Sequence, residues 1–148
     1  MNDPKRLDRL LDLRKHEEER RALEFVLAQQ AVSDAEQALA TLEGQRRQVE
    51  AQVEGASGDS VGQVQTLRMV LEQLDQGIRN ARTVCALAAA TASEKVEALA
   101  KASQDREAME RVLGPRREQA QAFRRMMDQK AEDEVAMDRF RRAQEKDG

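Results

Sequence analysis

The chain has 148 residues, of which 36% are charged and only 2% aromatic, with a net charge of −3 at pH 7. Its 25 basic and 28 acidic residues are interspersed, so the sequence lacks the basic face that nucleic-acid binding requires. No apolar run approaches the roughly 20 residues that cross a bilayer, and no signal-peptide core opens the chain, which predicts a cytoplasmic protein.

The first predicted element is a long helix over about residues 4 to 54. Stepping alternately by four and three residues from Leu7 to Val53 gives fourteen positions, of which ten are apolar. This 3.5-residue repeat indicates a left-handed coiled coil. The abundance of Ala, Glu, Gln, Arg and Leu is typical of the same class.

A run of charges interrupts the apolar repeat of the first helix. In LRKHEEERR, residues 13 to 21, eight of nine residues are charged or His, and Arg14, Glu18 and Arg21 fall on the repeat itself. Two interpretations stay open. Either the long side-chain stems lie along a locally weakened, polar seam that fixes the register of the helices, or the segment is flexible or faces a partner.

The repeat stops at GASGDSVG, residues 55 to 62, where three Gly, two Ser and one Asp predict a loop. Gly55 stands just past the first helix, where glycine is common. Ser60 or Asp59 is a candidate N-cap for the second helix, because a short side-chain oxygen there accepts from free backbone N–H groups.

A second, longer helix is predicted over about residues 62 to 144. From Val64 to Arg141 the same repeat has seventeen apolar residues at twenty-three positions. The phase is unbroken across Gly114 and Pro115, so we expect a kink there, caused by the missing backbone donor, and not a helix end.

A short loop makes adjacent helices antiparallel. The sequence therefore predicts an all-α fold in one domain over residues 1–148: a two-helix antiparallel coiled-coil hairpin whose second helix is longer and overhangs at its C-terminal end. Folding the chain about residues 58 and 59 gives the predicted layers, and a register shifted by one heptad, with a longer loop, stays open because it preserves the apolar pattern. They pair Val53 with Val64, Leu42 with Leu74, Leu39 with Ile78, Phe25 with Ala92, Arg21 with Lys95, Leu7 with Met109 and Pro4 with Leu113.

About 30 residues after Pro115 then lack a partner within the chain. We call residues 116–147 the tail. An apolar stripe on an unpaired helix implies a second copy or another protein that buries it. This tail stripe consists of Ala120, Phe123, Met126, Met127, Met137 and Phe140.

No catalytic, metal or cofactor site is predicted. The chain has no GxxxxGK phosphate-binding loop, and its single His, His16, lacks the second ligand that a zinc site needs. Cys85 lies on the repeat as a small hydrophobic residue. We therefore predict a protein that is not an enzyme and has no cofactor.

Three stretches of the chain resemble the FliJ family of flagellar type III export proteins. They are RLDRLLDLRKHEEERRAL near the start, LRMVLEQLDQGI after the loop and KAEDEVAMDRFRR near the end. The resemblance implies a central stalk of the export ATPase hexamer, similar in form to the rotor stalk of rotary ATP synthases. It also implies contact with a membrane protein of the export gate and with export chaperones.

The resemblance further implies that the tail contacts the ATPase. The implied contact residues are apolar at Phe123, Met126, Met127, Met137 and Phe140, and polar at Arg124, Arg125, Arg139 and Arg141.

Two alternatives to the flagellar stalk stay open. One is the equivalent stalk of an injectisome, and the other is a homodimeric coiled-coil scaffold unrelated to export.

Overall fold

The computed structural model describes residues 4–56, 58 and 60–147, and over these residues it contains two α-helices and no strand. Helix α1 spans Pro4–Glu54 and helix α2 spans Val61–Asp147. As predicted, the fold is a two-helix antiparallel coiled-coil hairpin with the longer helix second. Neither helix, over its described residues, has a stretch apolar enough to cross a membrane.

Contacts between the two helices divide the chain into two compact units. The loop unit covers His16–Ser103, and the terminal unit combines Met1–Lys15 with Gln104–Gly148. Both units are built alike, from one segment of α1 lying antiparallel to one segment of α2.

The helix ends follow local chain chemistry. Helix α1 begins at Pro4, a residue whose fixed φ and missing N–H suit a first helical position. Ser60 caps α2, because its Oγ accepts from the Gln63 N–H at 3.3 Å; the alternative cap, Asp59, lies outside the described residues. Gly58 has a φ of +133°, a conformation that side-chain-bearing residues rarely adopt.

The apolar repeat forms the seam between the helices. In the loop unit, every repeat position of α2 from Val64 to Leu99 is buried or half-buried, and the same holds for α1 from Glu18 to Val53. Alanines fill much of this seam, which lets two helices approach closely where aromatic side chains are scarce. The buried residues of the loop unit are Ala28, Ala35, Ala56, Ile78 and Ala102.

Each residue of α1 in the loop unit faces a residue of α2 about three positions later in the chain than the predicted layers place it. Leu42 lies against Gly77, since its Cδ1 is 3.7 Å from the position of a Cβ built on Gly77. Lys95 Nζ lies 3.5 Å from Glu24 Oε2. The predicted register would place Lys95 opposite Arg21, a like charge, so ion pairing across the seam favours the observed register.

Other polar residues on the repeat also pair across the seam. Arg46 Nε donates to Asp75 Oδ1 at 2.6 Å in the loop unit. In the terminal unit, Arg14 Nη1 lies 3.6 Å from Asp105 Oδ2. The hydrogen bond from Arg46 to Asp75 raises the pKa of Arg46. Charged residues therefore occupy the seam without interrupting it.

The terminal unit packs the first turns of α1 on α2. Leu11 and Leu113 are the most buried large side chains of the described chain, at 1% and 2% exposure. Helix α2 continues through Pro115, and the kink there stays a prediction. From Pro115 onward every described residue is exposed. The apolar repeat of α2 therefore continues beyond the part of the helix that is buried against α1.

We predict that Leu11→Ala lowers the free energy of unfolding by about 2–4 kcal/mol, because it removes a fully buried side chain and leaves a cavity. Leu13→Ala is the matched control: Leu13 is 62% exposed two residues away, so the change should stay within about 0.5 kcal/mol. Urea unfolding followed by circular dichroism measures both. Equal losses in the two variants would contradict the observed packing of the terminal unit.

Candidate partner-binding surface

The tail stripe is a row of large apolar side chains exposed on α2. Phe123 is 59% exposed, Met126 63%, Met137 58% and Phe140 64%. At about 100° of rotation per residue, the stripe follows one side of the helix, with Met126 and Phe140 along one edge. This surface is what the unpaired end of α2 offers to a partner.

The stripe is the continuation of the hairpin seam. Steps of three and four residues lead from Leu113, which is buried, to Arg116, Ala120, Phe123 and Met127, which are exposed. The phase does not change at Gly114 or Pro115. An antiparallel helix with the same apolar repeat as α1 could therefore pack on the tail stripe in the way that α1 packs on the earlier part of α2.

The predicted polar contacts divide between two sides of the tail. Arg141 falls at the same angle as Phe123, eighteen residues or five turns away. Arg124, Arg125 and Arg139 are rotated by about 100° to 200° from it and lie off the stripe. Six of the nine predicted contact residues thus share one side of the helix, and three do not.

A groove that the sequence reasoning missed lies where α1 begins against α2. Arg117 donates from Nε and Nη2 to Asp8 Oδ1, at 3.0 and 2.6 Å. The sequence contained a signal for this ion pair: Asp8 directly follows the repeat position Leu7, and Arg117 directly follows the repeat position Arg116. Residues that flank the repeat positions of a coiled coil commonly form ion pairs between helices. The groove has a volume of about 280 Å³, and its lining includes Leu7, Leu113, Arg116, Arg117, Ala120 and Arg124.

The charged stretch of residues 13 to 21 is helical throughout. Arg21 donates from Nε to Glu17 at 2.9 Å and from Nη1 to Glu24 at 3.1 Å. Glu24 also meets Lys95 across the seam. These contacts agree with the polar-seam interpretation, in which charged heads pair at the edge of the two helices.

These pairs shift the titration of the groups involved. The hydrogen bond from Arg20 lowers the pKa of Glu17, with Arg21 adding to the effect. Burial raises the pKa of Glu24, but the hydrogen bond from Arg21 and the charge of Lys95 outweigh it and lower the pKa overall. The hydrogen bond to Glu24 in turn raises the pKa of Arg21.

The remaining candidate groups are isolated. Within the described ranges, no three His, Cys, Asp or Glu side chains converge as metal ligands. His16 is exposed, with Nδ1 3.7 Å from Glu19 on the same helix, and Cys85 is a half-buried free thiol on the seam.

We predict that acid weakens the charged seam. The lowered pKa values of Glu17 and Glu24 stabilise the fold above the unfolded value of about 4.3, and this contribution is lost as the pH falls through the folded pKa values. The thermal midpoint should therefore drop between about pH 5 and pH 3. The double variant Glu17→Gln/Glu24→Gln should drop less over that range.

The control for this experiment is Asp128→Asn/Glu132→Gln, which removes two carboxylates from the exposed tail. It should follow the wild-type dependence of thermal midpoint on pH. If the seam variant also follows the wild-type curve, its ion pairs do not stabilise the hairpin.

Comparison with known families identifies the family of the chain. A family model described as "Flagellar FliJ protein" matches residues 4–145 of the chain. No curated protein and no solved structure matches. The matched range covers α1 and nearly all of α2, including the tail stripe and the groove at the start of α1.

Proposed function

Because the chain belongs to the FliJ family of flagellar proteins, we propose that it is the central stalk of the flagellar export ATPase and links that ATPase to the export gate and to export chaperones. Family membership implies an export-related role in the flagellum as a component that is not itself catalytic. It also favours the flagellar stalk over its injectisome counterpart.

The exposed tail stripe is the observation that carries the proposal. Phe123, Met126, Met127, Met137 and Phe140 place large apolar surface in water on a helix that extends beyond its partner. Burying such a stripe is favourable, so it marks an interaction site. The stripe enters the ATPase hexamer, as the resemblance of the chain to FliJ stalks implies.

The charges of the tail suit a stalk that contacts several subunits in turn. Arg124, Arg125 and Arg139 lie off the stripe, so polar contacts are available on other sides of the same helix. Each exposed ion pair is worth only about 0–1 kcal/mol. Many weak contacts around a rod allow it to turn inside a ring, whereas one tight pocket would hold it in place.

The other end of the hairpin supplies the remaining links. In this proposal the loop between α1 and α2 contacts the membrane protein of the export gate. Export chaperones bind the outer faces of the helices. The chain works in the bacterial cytoplasm and reaches the membrane through these partners.

We predict that the chain promotes hexamer formation and raises the turnover of its cognate export ATPase. The double variant Phe123→Asp/Phe140→Asp should lose most of this effect, because it places charge in the apolar contact. ATPase rate and light-scattering mass of the ATPase, with and without the chain, measure the outcome.

The matched control is Leu23→Asp/Leu87→Asp, which changes two side chains of similar exposure, 61% and 64%, in the loop unit. It should stimulate the ATPase like the wild type. Undiminished stimulation by the tail variant would show that the tail is not the contact. If the wild-type chain neither binds the ATPase nor changes its rate, the stalk assignment is wrong.

A further inference from the structure

We propose that two copies of this chain pair through their tails, antiparallel, and that each tail fills the seam that α1 leaves open on the other copy. The interaction uses the tail stripe and the charges beside it. It does not depend on the proposed function.

The open seam is continuous with an interface that the structure already contains. In the terminal unit, α1 covers α2 at Leu113, and its Asp8 reaches Arg117. Every described residue after that point is exposed while the repeat keeps its phase. The natural occupant is an antiparallel helix with the same repeat, and the tail of a second copy is such a helix.

The repeat sets the alignment of the two tails. Aligning Met127 of one copy with Met137 of the other places residue 147 of the second copy opposite Arg117 of the first. Helix α1 begins at Pro4 and its Asp8 contacts Arg117, so the last turn of the second tail meets the first turns of α1.

The same alignment pairs apolar residues near the centre of the tail and at one edge of the stripe, whereas Phe123 faces Arg141 of the second copy. Met127 faces Met137, and Met126 approaches Phe140 at the edge of the stripe. Because the arrangement is two-fold symmetric, each contact occurs twice. Met side chains adapt to such surfaces, and aromatic rings contact sulfur favourably.

Charges on the stripe also find opposite partners. Lys130 faces Glu134 of the second copy, and Arg124 lies between Asp138 and Glu145 of the second copy. Arg124, Asp138 and Glu145 each follow a repeat position directly, as Asp8 and Arg117 do in the hairpin. The proposed pairs thus repeat a contact that already joins α1 to α2.

One chain cannot make these contacts alone. Helix α2 is continuous to Asp147, so Arg124 and Asp138 of the same copy are separated by about 21 Å of helix. Residues 116–147 carry nine basic and eight acidic side chains, so two tails do not repel each other through net charge. Asp133 lies near Asp133 of the second copy across the two-fold axis. These like charges repel each other and weaken the pairing, which keeps it reversible.

The proposed dimer buries the stripe that we assign to the ATPase. The two occupants are therefore alternatives, and the dimer is the form of the chain that has no ATPase bound. A weak dimer of this kind buries the stripe while no ATPase is bound. A partner that binds the stripe more tightly displaces the second copy.

The test uses the purified full-length chain without ATPase. Analytical ultracentrifugation over a range of concentrations should show a reversible increase from 16.7 kDa towards twice that mass, weakened by salt. Arg124→Glu places like charges beside Asp138 and Glu145 of the second copy and should weaken association about tenfold or more. The double variant Asp138→Arg/Glu145→Arg should do the same for the opposite reason.

Mixing the two variants decides the orientation. In a mixed pair, Glu at position 124 faces Arg at 138 and 145, and the second side of the interface keeps its natural charges. Association should therefore return in the mixture only. Circular dichroism confirms that each variant remains helical, as expected for exposed positions.

Two outcomes would overturn the proposal. One is a wild-type chain that stays monomeric at every concentration. The other is a dimer that Arg124→Glu leaves unchanged or that mixing fails to restore. Because the ATPase is absent, either outcome leaves the proposed function standing. Conversely, a wild-type chain that fails to bind or stimulate the ATPase in the earlier experiment would leave the tail dimer standing.

Discussion

The structure depends on one constraint: α2 keeps a single coiled-coil phase over its whole length, while α1 is too short to cover it. Where both helices are present, the repeat produces a closed seam with Leu11 and Leu113 buried at its end. Where α1 is missing, the same repeat produces the tail stripe. Folding and partner binding are thus two uses of one sequence pattern, and the start of α1 divides them.

Apolar burial holds the helices together, and charge decides how they align. The seam contains many alanines, which pack at several registers with little difference in energy. Glu24 with Lys95, Arg46 with Asp75 and Asp8 with Arg117 are satisfied at one alignment. Each pair is weak by itself. Together they discriminate between registers that the apolar residues leave nearly equal.

The repeat alone was sufficient to predict the hairpin, its longer second helix and the burial along the seam. Counting apolar positions could not provide the register, because a shift of a few residues still places apolar residues opposite each other. The error placed Lys95 opposite Arg21, a clash of like charges that the sequence already contained. Likewise, treating the tail arginines as one group missed that Arg141 lies on the stripe and Arg124 does not.

The charges within the tail stripe have a consequence for aggregation. Lys130 and Glu134 separate Met127 from Met137, so the apolar surface is two short patches about 15 Å apart and not one long band. A misfolded chain or another apolar surface that covered both patches would also bury the charges of Lys130 and Glu134 without offering them opposite charges, which costs free energy. A helix with matching spacing supplies opposite charges instead. The tail can therefore stay exposed while awaiting a partner, because it excludes indiscriminate hydrophobic contacts.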